Sequence, residues 1–223
     1  ARQRERTPRP SGLTPFLAEP VGSPGLRVLC CEPMSPDSAE KLATYADVLA
    51  APPHVVAELV AGELHTSPRP ASRHALAGSA LLTRLFGRFH SSGGGAEDPN
   101  GWVILYEPEL HLSGDVLVPD IGGWRRERMP EMPDAAYFEL PPDFCCEVLS
   151  PSTARFDRVM KLPIYARHRV GHAWLVDPTA QTLEVLALDG ETYRLLATHG
   201  GDAVIKAPPF DAEGLDLAPL WRR

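Results

Sequence analysis

Apolar residues recur along the chain with two periods, one typical of helices and the other typical of strands. The helical period predicts helices over residues 37–50, 71–89 and 153–168. Alternating or short continuous apolar runs predict strands, which fall at residues 55–60, 63–66, 102–112, 116–124, 143–149, 172–176, 182–188 and 193–197. This mixture, with hairpins at both ends, indicates an α/β or α+β fold in which one central mixed β-sheet is flanked by helices.

Glycine, proline and serine mark the boundaries of several predicted elements. Ala61 and Gly62 form the turn of the first predicted hairpin, and Pro108 is expected to break the strand over residues 102–112. The strand over residues 143–149 has a nearly continuous apolar run, which indicates burial on both faces of the sheet.

The first 36 residues differ from the rest of the chain. They are rich in Pro, Arg and Gly and show no clear period, which predicts a poorly ordered extension. Met34 is a candidate for the natural start. We expect residues 37–223 to form a single domain, because single domains reach about 250 residues.

The net charge of −7 is unusual for a protein that binds nucleic acid, because such proteins are often basic. The charge is uneven, however. Residues 155–169 hold four arginines and a lysine against Asp157, and residues 176–218 hold eight acids against two bases. This balance argues against tight coating of DNA but allows a small cleft that faces phosphate.

The four cysteines form two adjacent pairs, and neither pair has the CxxC spacing of a zinc or redox site. Cys145 and Cys146 lie in an apolar run, which predicts core residues and a reducing cytoplasm as the location of the protein. No run of about 18 apolar residues is present, so we expect no membrane span.

Two carboxylates lie in otherwise apolar runs, where a charge costs free energy unless a cation or a hydrogen-bond donor meets it. Asp120 follows Pro119 in VLVPDIGGW, and Glu147 lies in DFCCEVL. Two such acids on neighbouring strands can hold Mg²⁺ or Mn²⁺, which lowers the pKa of a bound water and stabilises charge on a phosphoryl oxygen. The alternatives are that Asp120 caps a turn and that Glu147 is a salt-bridged core residue.

Lys161 falls on the predicted helix that follows the Glu147 strand. Its spacing of four residues from both Asp157 and Tyr165 places the three on one helical face. If that face looks toward the strand ends, the ammonium can orient an attacking water or neutralise a transition state. The alternative is an ordinary solvated lysine on the surface.

The first hairpin offers a further acid. Glu58 lies inside an apolar run and is a candidate additional catalytic residue, whereas Glu63 follows a glycine turn and is expected to be exposed. His74 at the start of the second helix could touch a phosphate, although a single helix histidine is more often structural. The arginines after Asp120, at positions 125, 126 and 128, could grip a phosphate backbone or form a solvated loop.

These residues resemble the Uma-type restriction endonuclease family of the PD-(D/E)XK nuclease superfamily. The matching blocks, over about residues 38–221, are AELVAGELHTSPRPASRH, the pair Pro119–Asp120, EVLSPST from Glu147, the residues Asp157, Lys161 and Tyr165, and WLVDP from Trp174. The resemblance implies a restriction-endonuclease-like core whose sheet presents Asp120 and Glu147 to a divalent metal. The superfamily pattern would put its lysine at position 149, which is leucine here, and the resemblance points to Lys161 instead.

Two functions are consistent with these observations. The first is a Mg²⁺- or Mn²⁺-dependent endodeoxyribonuclease with DNA as its substrate. Asp120 and Glu147 would be the metal ligands, Lys161 the electrostatic helper and Glu58 an additional acid. A homodimer is expected because dimers are common among nucleases that cut both strands. The second is a catalytically silent binding or assembly module with the same fold. Nucleotide-binding, zinc-protease and serine-hydrolase motifs such as GxxxxGK[ST], HExxH and GxSxG are absent from the sequence.

Overall fold

The structure, a computed structural model, describes residues 42–90 and 101–222. The predicted N-terminal extension, with Cys30, Cys31 and Met34, lies outside the described residues. So do the first residues of the predicted helix over 37–50 and the glycine-rich segment over 91–100.

Helices and strands alternate along the described residues. In chain order they are α1 (Tyr45–Leu49), β1 (Val55–Val60), β2 (Glu63–Pro68), α2 (Ser72–Phe89), β3 (Trp102–Tyr106), β4 (Leu110–Leu112), β5 (Asp115–Leu117), β6 (Ile121–Arg125), β7 (Phe144–Val148), α3 (Ala154–Phe156), a π-helical turn (Asp157–Lys161), α4 (Leu162–Arg167), β8 (His172–Asp177), β9 (Thr182–Asp189), β10 (Thr192–Gly200), β11 (Val204–Ile205), β12 (Leu215–Asp216) and α5 (Ala218–Trp221).

Six strands form the central sheet, in the order β10-β9-β8-β7-β6-β3. Strand β7 pairs parallel with β8 and antiparallel with β6, so the sheet is mixed. Every residue of β7 is buried, as its continuous apolar run predicts. The predicted α/β fold with a central mixed sheet and flanking helices is therefore confirmed.

The side chains of β7 alternate between the two faces of this sheet, and each face is covered by a helix. Cys146 and Val148 pack with Leu81 of α2. Cys145 packs on the other face with Tyr165 of α4. Both thiols are free and buried, which confirms the prediction that they are core residues.

A second sheet, which the sequence does not predict, is antiparallel and has the order β2-β1-β5-β4. The prediction of one strand over residues 116–124 is wrong, because β5 ends at Leu117 in this sheet and β6 begins at Ile121 in the central sheet. Pro119 lies in the connection, where it lacks the N–H that a ladder needs. The break places Asp120 at the junction of the two sheets.

The third predicted helix, over residues 153–168, is a continuous helical segment with a wider turn at its centre. The π-helical turn Asp157–Lys161 separates α3 from α4, and both of its terminal side chains are buried. Such turns are rare and occur frequently at functional sites.

The first helix is shorter than predicted over its described part. It runs over Tyr45–Leu49 and begins with a capping box between Thr44 and Asp47. In the described ranges, no helix has the length and apolar character needed to cross a bilayer.

Candidate active site

A cavity of about 280 Å³ lies beside the junction of the two sheets. Among its lining residues are the acids Glu58, Asp120, Glu147 and Asp157 together with His74 and Lys161, and Glu107 and Arg69 line it as well. Strand β1, the break before β6, strand β7, helix α2 and the π-helical turn each contribute at least one of them. Long-range folding therefore brings together the residues that the sequence analysis singled out.

The ammonium of Lys161 lies at the centre of the cluster, and only 3% of the side chain is exposed. Its Nζ is 3.0 Å from Glu58 Oε1 and 3.0 Å from Glu147 Oε1, and it donates a hydrogen bond to the carbonyl oxygen of Val118 at 3.0 Å. An ammonium has three N–H donors, so these acceptors match all three. The alternative of a solvated surface lysine is wrong.

The charge of this ammonium is stabilised by its neighbours. Burial by itself lowers the pKa of Lys161, but the carboxylates of Glu147, Glu58 and Asp157 outweigh burial and raise that pKa well above its usual value. Lys161 is therefore positively charged at neutral pH and serves as the internal counter-ion of the cluster.

The carboxylate of Glu147 is oriented by two donors at the same oxygen. Tyr165 donates its hydroxyl hydrogen to Oε1 at 2.6 Å, and Lys161 Nζ approaches Oε1 at 3.0 Å. Burial raises the pKa of Glu147 well above its usual value, while Lys161 opposes that rise and Asp157 adds to it. These two contacts leave Oε2 as the oxygen that neither donor engages.

Asp157 is a buried acid that the sequence analysis used only as a marker of the helical face. Its Oδ1 is 3.9 Å from Lys161 Nζ. Burial raises the pKa of Asp157 to about 6, against the opposing effects of Lys161 and of a hydrogen bond with Thr153. The four-residue spacing to Lys161 was the signal in the sequence that could have added Asp157 to the site.

Asp120 is held beside the strand that carries Glu147. Its Oδ2 accepts the backbone N–H of Val148 at 2.8 Å, and its Oδ1 is 3.4 Å from His74 Nε2. Burial lowers the pKa of His74, but the hydrogen bond and charge of Asp120 outweigh it and raise that pKa. This hydrogen bond holds Asp120 against the backbone of the residue that follows Glu147.

The donor chemistry of this cluster fits a divalent cation held by two protein ligands. Across residues 42–90 and 101–222, no group of three or more His, Cys, Asp or Glu side chains is arranged to hold a metal ion. Mg²⁺ is commonly bound by one or two carboxylates together with waters and substrate phosphates, and the carboxylates of Asp120 and Glu147 would match that number of protein ligands. Acids outnumber the ammonium in this cluster, so a bound cation would favour the charged forms of Glu147 and Asp157, whose pKa burial raises.

The other candidate residues lie away from this cluster or have partners elsewhere. The side chain of Glu63 is 77% exposed, as expected. Arg125 stacks over the ring of Trp102 at 4.3 Å, and Arg128 pairs with Asp143 at 2.7 Å. These two arginines therefore stabilise the sheet and the loop that follows it.

The basic stretch over residues 155–169 does not form a continuous face toward the cavity. Arg158 makes a two-pronged ion pair with Glu184, and Arg167 pairs with Asp115 at 2.9 Å. Arg69, which the sequence analysis passed over, does line the cavity, and its side chain is 55% exposed.

A central mixed sheet that carries buried acids and a lysine in one cavity defines a restriction-endonuclease-like protein. A model of the Uma2 family, described as "Putative restriction endonuclease", matches residues 42–219. The chain belongs to this family, and the resemblance seen in the sequence is confirmed.

The fold is also similar to a solved structure, described as that of a "putative nuclease belonging to DUF820" from Anabaena variabilis. The two have a TM-score of 0.59 and 21% sequence identity, over 80% of this chain and 97% of that chain. This likeness concerns the fold. A comparison with curated proteins found no match.

Proposed function

We propose that this protein is a metal-dependent endonuclease that hydrolyses phosphodiester bonds in DNA. The observation that carries the proposal is the convergence of Asp120, Glu147 and Lys161 in one cavity, with the ammonium 3.0 Å from the Glu147 carboxylate. Membership of the Uma2 family, described as "Putative restriction endonuclease", supports it.

In this proposal Asp120 and Glu147 hold Mg²⁺ or Mn²⁺. The bound cation supplies positive charge that stabilises the phosphate during attack by water. Tyr165 and Lys161 orient Glu147, and the Val148 N–H orients Asp120. Lys161 also contributes a fixed positive charge close to the reacting phosphate, where burial strengthens its effect. Glu58 is a further acid of the site.

In this proposal DNA binds at the cavity through a few local contacts with phosphate and not through a broad basic surface. Arg69 is a half-exposed cation on the cavity lining, 3.7 Å from the less exposed Glu107, and it is available to a phosphate that displaces Glu107. Hydroxyl groups of Ser150, Ser152 and Thr153 also line the cavity and can donate to phosphate oxygens.

The experiment is cleavage of a supercoiled plasmid by the purified full chain with Mg²⁺, Mn²⁺ or a chelator. We expect nicked and linear products with either metal and none with the chelator. Asp120→Asn and Glu147→Gln should abolish cleavage, while the matched control Glu63→Gln, an exposed acid of the same hairpin as Glu58, should retain it. Cleavage that survives in both site variants would refute the proposed site.

The second candidate function is a catalytically silent module with the same fold. It is favoured by the complete pairing of the Lys161 ammonium with protein acceptors. Full metal binding without cleavage of DNA or RNA would support this candidate over the nuclease.

Two further parts of the proposal concern assembly and location. We propose a homodimer, because a nuclease that cuts both strands commonly pairs two sites, and sedimentation of the full chain tests it. We also propose a cytoplasmic location, which the free buried thiols of Cys145 and Cys146 support. Fractionation of cells that express the tagged full chain would test that location.

A further inference from the structure

We propose that Glu58 is a positioning residue that acts on the metal site through Lys161, with which it also holds the backbone at Val118, and that it is not itself a metal ligand. This inference rests on the proposed function and assigns one acid of that site a different role from the other two.

The contacts of Glu58 form a closed ring. Its Oε1 accepts the backbone N–H of Val118 at 2.8 Å and lies 3.0 Å from Lys161 Nζ. Lys161 in turn donates to the carbonyl oxygen of Val118 at 3.0 Å. One carboxylate oxygen, one ammonium and both polar groups of a single backbone residue therefore satisfy one another.

The position of Val118 explains why this ring matters for the site. Val118 lies after the end of β5 and before the start of β6, outside the ladders of both sheets. Backbone polar groups in such a break need partners other than strands, and here Glu58 and Lys161 provide them. Asp120 is two residues further along, so the ring fixes the path of the chain that delivers Asp120 to the cavity.

The Lys161 ammonium of this ring is also shared by two carboxylates. Lys161 Nζ is equidistant from Glu58 and Glu147, at 3.0 Å from each. If the charge of Glu58 is removed, Glu147 becomes the nearest carboxylate partner, since Asp157 is 3.9 Å away. The ammonium should then be drawn toward Glu147 and compete with a cation for that carboxylate. Glu58 would therefore support metal binding only while Lys161 is present.

This dependence separates a positioning residue from a ligand. A direct ligand lowers metal affinity when it is removed, whatever stands at position 161. A residue that acts through Lys161 loses its effect once the ammonium is gone, which a double-mutant cycle measures directly.

The experiment is calorimetric titration of Mn²⁺ into the full-length wild type, Glu58→Gln, Lys161→Gln and the double variant. We expect Glu58→Gln to weaken Mn²⁺ binding by roughly tenfold in the wild-type background and by less than about twofold when Lys161→Gln is present. The matched control Glu63→Gln should leave Mn²⁺ affinity unchanged. An equal loss in both backgrounds, or no loss in either, would overturn the inference.

A second measurement keeps the inference testable if Lys161→Gln does not fold. Hydrogen exchange of the Val118 amide should speed up in Glu58→Ala, because the N–H loses its acceptor, while the amides of β7 keep their protection. Unchanged exchange at Val118 would refute the ring. If the wild type does not bind Mn²⁺, the proposed function is contradicted. The exchange of the Val118 amide would then still test whether the Glu58–Val118–Lys161 ring exists.

Discussion

The buried acid Asp157 should make stability fall as the pH rises, which is the reverse of the usual behaviour of a carboxylate. Its folded pKa is raised from 3.8 to about 6, chiefly by burial. The folded state therefore keeps the proton at pH values where the unfolded chain has released it. Stability from this group is fully present below about pH 3.8 and is lost as the pH rises toward 6.

The size of the effect follows from the displacement of the pKa. A change from 3.8 to about 6 corresponds to at most about 3 kcal/mol of unfolding free energy. In Asp157→Asn the group no longer titrates. Between pH 4 and pH 7 the wild type should therefore lose up to about 3 kcal/mol of unfolding free energy relative to the variant.

The assay is urea denaturation of both proteins at several pH values, followed by tryptophan fluorescence. A matched control is Asp189→Asn, whose side chain is 66% exposed and whose effect should change by less than about 0.5 kcal/mol over the same range. The account of a desolvated acid beside Lys161 would be refuted if the stability of the wild type relative to Asp157→Asn does not change with pH, or if it rises as the pH rises.

Three further substitutions test the packing of the site and of the sheet by denaturant unfolding. Lys161→Met should cost about 3–5 kcal/mol because it leaves buried carboxylates without their counter-ion, and a loss below about 0.5 kcal/mol would indicate a surface lysine. Tyr165→Phe should cost about 1–3 kcal/mol because Glu147 loses a 2.6 Å hydrogen bond, and an unchanged midpoint would contradict that contact. Gly122→Ala should cost about 1–3 kcal/mol because its new Cβ would lie 2.7 Å from the ring of a neighbouring proline. The control Gly87→Ala, in open space on α2, should stabilise by up to about 1 kcal/mol, and equal effects at the two glycines would refute the packing argument.

Local patterns in the sequence were enough to predict most elements of the fold. The hairpin of Val55–Val60 and Glu63–Pro68 and the helix Ser72–Phe89 agree closely with their apolar periods. The buried strand Phe144–Val148 was visible as an apolar run with a single acid in it. These elements depend on neighbours in the chain, so a sequence alone can reveal them.

The break between the two sheets could not be predicted in the same way. The run VLVPDIGGW is apolar enough to resemble one strand. What stabilises the break at Val118 is a pair of side chains 60 and 43 residues away, Glu58 and Lys161. Such long-range partners leave no local signal, so the second sheet and the junction that carries Asp120 were missed.

The composition of the candidate site was partly visible and partly hidden. Glu147 stood out because a charge in an apolar strand requires a partner. Lys161 was ambiguous because a helical lysine can face either solvent or core, and its orientation depends on the π-helical turn that ends at Lys161. Asp157 shares that turn, and its burial follows from tertiary packing and not from its immediate neighbours.

The central claim, that Asp120 and Glu147 together hold a divalent cation, is tested most directly by anomalous diffraction from crystals of the full chain soaked in Mn²⁺. We predict an anomalous difference peak between these two side chains, in contact with a carboxylate oxygen of each, and its loss in Asp120→Asn. The claim would be contradicted if, at saturating Mn²⁺, anomalous difference peaks appear only at exposed acids and none appears in the cavity beside Lys161.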